Sequence, residues 1–599
     1  MAENLKKRTE VEPEYKWKIE DLYANDDLWK EDAEKASELI EKFRQLQGTM
    51  GKSAGQLLHV LKTQDEMEEL LEKVYVYANQ KYHEDTGNGT YQTLSARAQS
   101  IMAAAGDAAS YVEPELLAIP EETLKKFMEE ESGLAHYERY IRERLRTKEH
   151  VLSEEMEAML AKVYEIAQGP YNTFSMFNNA DLKFGEIHDE DGELTSLTHG
   201  RYIRFLESKN REARKEAFTT LYHKYGEFKN TLGSLMYTNV QQAVFYAKAR
   251  HYESSRAAAL DGGNIPLSVY DKLIEAVHDH LPAMYRYMEL RKKALHLDEL
   301  HMYDVHVPIT KDIDMEIPFE QAKELVREGL SVLGEDYLEK LDEGFSNGWI
   351  DVYENEGKRS GAYSWGAYGT HPYVLLNYND SLNHVFTLAH EMGHAIHSYY
   401  SDHEQPYTYA GYRIFVAEVA STCNEALLIH YLMEHAKDDR EKSYLVNYFL
   451  DQFKGTLYRQ TMFAEFEKMI HRMVEQGEVL NGENLSDIYY KLNQQYYGDG
   501  VVSDPEIALE WSRIPHFYTP FYVYQYATGF SAAIAISKKI LAGEPGIVEK
   551  YKEFLSGGSS KDPIDLLKIC GVDMTSPEPV NEALSVFEEY VGELESLIK

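Results

Sequence analysis

The sequence predicts a mainly α protein, a large helical body with a small β-sheet placed next to one chemically marked helix. Two observations lead there. Apolar residues recur at three- and four-residue steps through most of the chain, with charged faces between them. Strand-like alternation is confined to two short regions, 179–198 and 349–380.

The elements follow in chain order. Helical periodicity runs through DDLWKEDAEKASELIEKFRQLQ (26–47), DEMEELLEKVYVYANQKYHED (65–85) and YQTLSARAQSIMAAAGDAASYV (91–112). Pro120 marks a fresh start in IPEETLKKF, and SEEMEAMLAKVYEIA (153–167) is another helix. NADLKFGEIHDEDGELTSLT (179–198) alternates around Asp191-Gly192 and reads as a hairpin. After the break at ALDGG, residues 264–295 read as one long helix. Residues 349–380, rich in Tyr, Val and Gly, lie directly before the segment that carries the chemistry and read as a small sheet. The chain is expected to divide near 115 and near 200: an N-terminal helical region (1–114), a lobe with the hairpin (115–200) and a third domain (201–599).

Composition removes several function classes. The net charge of −39 argues against binding nucleic acid or an anionic membrane surface, both of which need a Lys and Arg excess. The acidic residues are spread along the chain, so solubility is the plainer reading of the charge. No stretch approaches the roughly 18 apolar residues of a membrane span. MAENLKKRTE has no apolar core and does not read as a signal peptide. Two distant cysteines, Cys423 and Cys570, suit a reducing compartment, so the expected location is the cytoplasm.

The chemistry sits in SLNHVFTLAHEMGHAIHSYYS (381–401). His390 and His394, four apart on a helix, place two imidazoles on one face, suited to one Zn²⁺ per chain. Glu391 follows the first histidine and can take a proton from the attacking water. A third ligand is needed. His397 and Tyr400 stand where a metzincin has Gly and His, which excludes that subclass. A carboxylate from RIFVAEVASTCNEALLIHYLMEH (413–435) is the other solution. Glu418 and Glu425, seven apart, share a face there; spacing alone leaves open which one ligates and which supports a histidine. Oxyanion donors are offered by IPHFYTPFYVYQYATGF (514–530), through His516, Tyr518, Tyr522, Tyr524 and Tyr526. With 46 tyrosines in the chain, an aromatic core stripe is the competing reading for each of these.

These segments resemble the thimet-oligopeptidase-like family of zinc peptidases (M3), most closely its bacterial oligoendopeptidase F branch. The matching stretches are GKRSGAYSWG (357–366), HPYVLLNY (371–378), FTLAHEMGHAIHS (386–398), FVAEVASTCNE (415–425), IPHFYTPFYVYQYATG (514–529) and, upstream, 249–277. The resemblance covers most of the chain from about 115 onward. It implies His390, His394 and Glu418 as zinc ligands, Glu391 as catalytic glutamate, and Glu425 as support for a ligating histidine. His516, Tyr522 and Tyr526 are implied to meet the substrate or oxyanion. It also implies a helical body split by a deep channel that admits short unstructured peptides. GAYSWG reads either as an edge strand that pairs with such a peptide or as an ordinary structural strand. There are departures. Ala420 stands in place of a proline, FVAEVAS has one extra residue before Glu418, Tyr522 needs one extra residue after His516, and a further tyrosine of the family falls on Gly529.

The expected function is therefore a zinc endopeptidase acting on short oligopeptides. Two alternatives stand beside it: an end-trimming, dipeptidyl carboxypeptidase-like enzyme with the same zinc site, and a peptide-binding protein that has lost catalysis. The intact His390, Glu391, His394 and Glu418 speak against the last. Side-chain specificity and oligomeric state are not encoded in any of these motifs.

Overall fold

The computed structural model describes residues 5–310 and 316–598. The chain is mainly α, as the periodicity predicts, with three small sheets among the described residues. Contacts divide it into two units interleaved along the sequence. The first comprises Met1–Val151, Met315–Leu428 and Ser537–Cys570; the second comprises Leu152–Asp314, Ile429–Ile536 and Gly571–Lys599.

In the first unit, three long helices build a core. Asp26–Arg44 starts where the Asn25 side chain accepts the N–H groups of Asp27 and Leu28, at 3.0 and 3.1 Å, satisfying donors the helix cannot pair itself. Ala54–Glu84 and Gly89–Ala109 follow. Trp29, Leu57, Leu61, Tyr77 and Ala98 from these helices are buried together. The second helix begins well before residue 65, where the charged periodicity becomes clear, because Ser53 caps it and AGQLLHVLKTQ buries Leu57, Val60 and Leu61.

The sheet of this unit has the order Ile350–Asp351, Tyr373–Leu375, Tyr363–Trp365. The first pair is parallel and the second antiparallel, with Ser364 opposite Val374. Tyr363–Trp365 is thus an edge strand. Residues 6–18 are laced to the first strand and its flanks: Lys18 N–H donates to Gly348 O at 2.7 Å, and Val352 N–H to Tyr15 O at 3.0 Å. The Arg8 guanidinium lies between Asp351 and Glu84, and Trp17 Nε1 donates to Glu84 at 2.7 Å. After Tyr373–Leu375 the chain turns at Asp380, φ +57°, a left-handed conformation that Asp tolerates better than most residues. The helix Leu382–Glu404 starts immediately after it. The sheet therefore aims the histidine-bearing helix.

In the second unit, Glu186–His188 and Leu194–Ser196 form the antiparallel hairpin the alternation predicts, with Gly192 at φ +83° in its turn. Residues 264–295 are two helices rather than one, Leu267–Asp279 and Leu281–Ala294. Pro282 accounts for the break. It lacks the N–H a continuous helix needs and is accommodated in the first turn of the second helix. A parallel pair, Leu300–His301 with Val501–Val502, joins segments far apart in sequence. Among the described residues no helix is long and apolar enough to cross a membrane.

Candidate metal centre

The helix Leu382–Glu404 and the first-unit part of the helix Ile414–Glu434, up to Leu428, carry the centre. Leu382–Glu404 buries Val385, Phe386, Leu388, Ala389, Met392, Ala395 and Ile396, so three of its sides are core. His390 and His394 remain on its partly open stripe, 26 and 17 % exposed, with ring centroids 4.9 Å apart. Ile414–Glu434 is almost wholly apolar in its first half; Phe415, Val416, Val419, Ala420 and Cys423 are buried. Glu418 and Glu425 are two of its three acidic residues, seven apart and on one helical face.

Gly393 lets these helices meet backbone to backbone. A Cβ at this position would lie 2.6 Å from Ser421 Cα and 2.9 Å from Ala420 O. Asn424, fully buried, then ties the pair: its Nδ2 donates to Ala389 O at 3.0 Å, and its Oδ1 accepts from Tyr337 Oη at 2.9 Å. Neither Gly393 nor Asn424 is singled out by reading the sequence for chemistry. The only available signal is that Gly393 falls inside the histidine motif, where helix propensity argues against it. Gly393→Ala is expected to lower stability by about 1–3 kcal/mol through overpacking and to weaken metal binding by parting the ligand helices. Thermal melts and a zinc titration read the two effects separately.

His390 Nε2 lies 3.4 Å and His394 Nε2 3.6 Å from the same Glu418 oxygen. Among the described residues, these three are the group whose donor atoms all fall within 4.8 Å of one another. Tetrahedral zinc with bonds of about 2.0–2.1 Å holds its donors about 3.3 Å apart, so the spacing fits that ion. The donor set, two imidazoles and a carboxylate, is also the set zinc favours. Glu425 addresses the other nitrogen of His390, with Nδ1 3.1 Å from its Oε1. Ser421 Oγ donates to the Glu418 carboxylate at 3.3 Å.

The electrostatics favour a cation. Burial opposes charge on His390, but the bond to Glu425 and the charges of Glu425, Glu391 and Glu418 outweigh it and push the imidazole up to about 9. Burial also works against charge on Glu418. The hydrogen bond and charge of His394, with His390 and Ser421, overcome it and hold the carboxyl down near 2. Glu391 behaves differently. Burial raises its carboxyl against the pull of His390 and His394. It is 7 % exposed and its Oε2 has no hydrogen-bond partner. His397, the third histidine of the helix, is a core residue stacked on Tyr412 at 3.7 Å, with burial pushing it down to about 3.

In the second unit, His516, Tyr522 and Tyr526 form one ring cluster. His516 is 6.3 Å from Tyr522 and 6.1 Å from Tyr526, and the two tyrosines are 5.4 Å apart. Tyr518 and Tyr524 belong to the core instead, stacked on Phe174 at 4.4 Å and packed on Tyr270 at 5.0 Å. Burial raises both phenols well above their usual range.

A family profile described as Peptidase family M3 matches residues 204–586, and one described as Oligopeptidase F matches residues 115–184. Oligopeptidase PepF of Bacillus subtilis (strain 168) is 48 % identical over 597 residues, covering 100 % of this chain and 89 % of that one. Group B oligopeptidase PepB of Streptococcus agalactiae serotype III (strain NEM316) is 40 % identical over 591 residues, covering 99 % of this chain and 98 % of that one. The crystal structure of oligoendopeptidase-F from Enterococcus faecium superposes with a TM-score of 0.75 at 41 % identity, over 96 % of this chain and 99 % of that one.

Proposed function

This chain belongs to peptidase family M3, in its oligoendopeptidase F branch, and on that premise we propose that it is a zinc-dependent endopeptidase cutting internal bonds of short, unstructured peptides in the cytoplasm. One observation carries the reading: two imidazole nitrogens converge on a Glu418 oxygen, and a buried, unpartnered carboxylate oxygen of Glu391 sits one residue along the same helix.

His390, His394 and Glu418 would hold the ion. When bound there, zinc supplies a Lewis acid that polarises the scissile carbonyl and makes water more acidic. Everything else falls to the chain. Glu425 accepts the Nδ1 proton of His390, which fixes the tautomer that leaves Nε2 free. Glu391 takes the proton of the attacking water and returns it to the leaving amine. Its burial and its unpartnered Oε2 leave the carboxylate free to make both transfers. His516, Tyr522 and Tyr526 donate hydrogen bonds to the oxygen on which negative charge develops. The edge strand Tyr363–Trp365 offers main-chain groups to an extended peptide, which reads backbone rather than side chains and suits varied sequences.

An internally quenched, end-blocked peptide of about ten residues tests the proposal. Internal cleavage, lost on adding chelator and regained on adding zinc, is expected, with the products read by mass. Cleavage confined to peptides with a free end would make the enzyme an end-trimming peptidase. Cleavage that ignores the chelator would remove the metal from the mechanism.

A further inference from the structure

The loop that carries His516 and Tyr522 has an unusual support. Phe521, which directly precedes Tyr522, has φ +57°. A left-handed conformation in a bulky, non-glycine residue costs on the order of 1–3 kcal/mol and persists only where its surroundings impose it. The Phe521 N–H points inward and donates to Glu467 Oε1 at 2.9 Å. Glu467 lies on the helix Arg459–Glu475, is 1 % exposed, and has no hydrogen-bond partner for Oε2. Burial, only partly offset by the Phe521 bond, pushes its carboxyl up to about 8.

Two unfavourable features thus meet at one peptide group: a strained aromatic residue and a half-satisfied buried carboxyl. An ordinary turn needs neither. The ring of Phe521 is closed in by His471 at 4.5 Å and Tyr270 at 5.8 Å. His471 is fixed by Ser255 Oγ at 2.9 Å, and Tyr270 Oη donates to Ala464 O on the Glu467 helix at 2.5 Å. The same helix also seats the other arm of the loop. Phe463 and Phe466 pack on Phe517, next to His516, each at 5.2 Å. One helix therefore grips both ends of the turn from His516 to Tyr522.

We propose that Glu467 is a positioning residue: through the Phe521 N–H it locks the left-handed turn that orients the Tyr522 phenol. Glu467 is too deeply buried to touch substrate. Its contribution is the direction of the chain entering Tyr522. The inference rests on the proposed donor role of Tyr522. An acceptor oxygen at this point is what the turn requires, and charge is not, so an amide can replace the carboxyl.

Kinetics of full-length, zinc-loaded variants test this, with melting temperature and zinc content as fold controls. Tyr522→Phe sets the reference, and loss of an oxyanion donor is expected to lower kcat about 10²–10³-fold. Glu467→Leu removes the acceptor, and Glu467→Asp withdraws it by one methylene while keeping a carboxyl. Both are expected to lower kcat about tenfold to 10²-fold with KM within about twofold, while Glu467→Gln keeps kcat near that of the parent. In the Tyr522→Phe background, Glu467→Asp should cause no further loss. Parent-like kcat in Glu467→Asp, or an undiminished loss when it is combined with Tyr522→Phe, overturns the positioning role and leaves Tyr522 as donor. Parent-like kcat in Tyr522→Phe overturns the donor role and this inference with it.

Discussion

Glu391→Gln is expected to bind zinc as the parent does, one ion per chain, and to lose at least about 10³-fold in kcat, toward the upper end of what a general acid–base group contributes. The substitution preserves shape in a buried place and removes only the ability to take and return a proton. Glu391 stands outside the donor group of His390, His394 and Glu418, so the metal has no reason to leave. Its Oε2 has no partner that the amide would disrupt. The loss should be large because one carboxylate serves twice, first toward the attacking water and then toward the leaving amine. Kinetics on a quenched peptide, beside metal analysis of the same sample, make the comparison. Substantial turnover in a zinc-loaded Gln variant would mean that another group is the base.

Glu418→Ala and Glu425→Ala are expected to separate by their effect on the metal. Glu425 reaches only the far nitrogen of His390, and removing such an outer partner weakens metal affinity about 10–100-fold. Glu418 sits 3.4 and 3.6 Å from the two Nε2 atoms that face each other across the centre. Its loss removes a donor outright and leaves two neutral imidazoles, so affinity should fall beyond that range. Both residues are about one-third exposed on a helix held by apolar neighbours, which makes unfolding a poor explanation of either result. Competition against a chromophoric chelator ranks the two. A reversed ranking would reassign the third ligand to Glu425.

The parts of this molecule that read clearly from sequence are those written in local patterns. The histidine spacing, the helix around it and the paired glutamates seven apart all repeat with the period of one helix. The hairpin at Asp191-Gly192 is likewise a local signal, since a left-handed turn residue is a sequence requirement. The rest depends on partners distant in the chain. The pairing of Leu300–His301 with Val501–Val502 spans two residues on each side, too short to leave an alternation. Tyr524 and Tyr526 look alike in sequence, yet Tyr524 packs in the core against Tyr270 while Tyr526 joins His516 and Tyr522. Residues 264–295 carry one periodicity on both sides of Pro282, so the break at that residue does not show in the pattern. Glu467 carries no signal at all, because a glutamate within FAEFEKM looks like any solvent-facing position until its helix is packed.

The close approach at Gly393 would bear on the proposed metal centre. Main chain resting on main chain has no rotamers to relax, so the distance between Leu382–Glu404 and Ile414–Glu434 is a fixed gauge. The helices cannot come closer, and separating them opens a gap in a filled interior. Calcium, with bonds of about 2.3–2.6 Å and a demand for six or more oxygens, would have to force that gap. Under the proposed zinc assignment, the spacing of the two donor-bearing helices would thus be set at a residue outside the donor group.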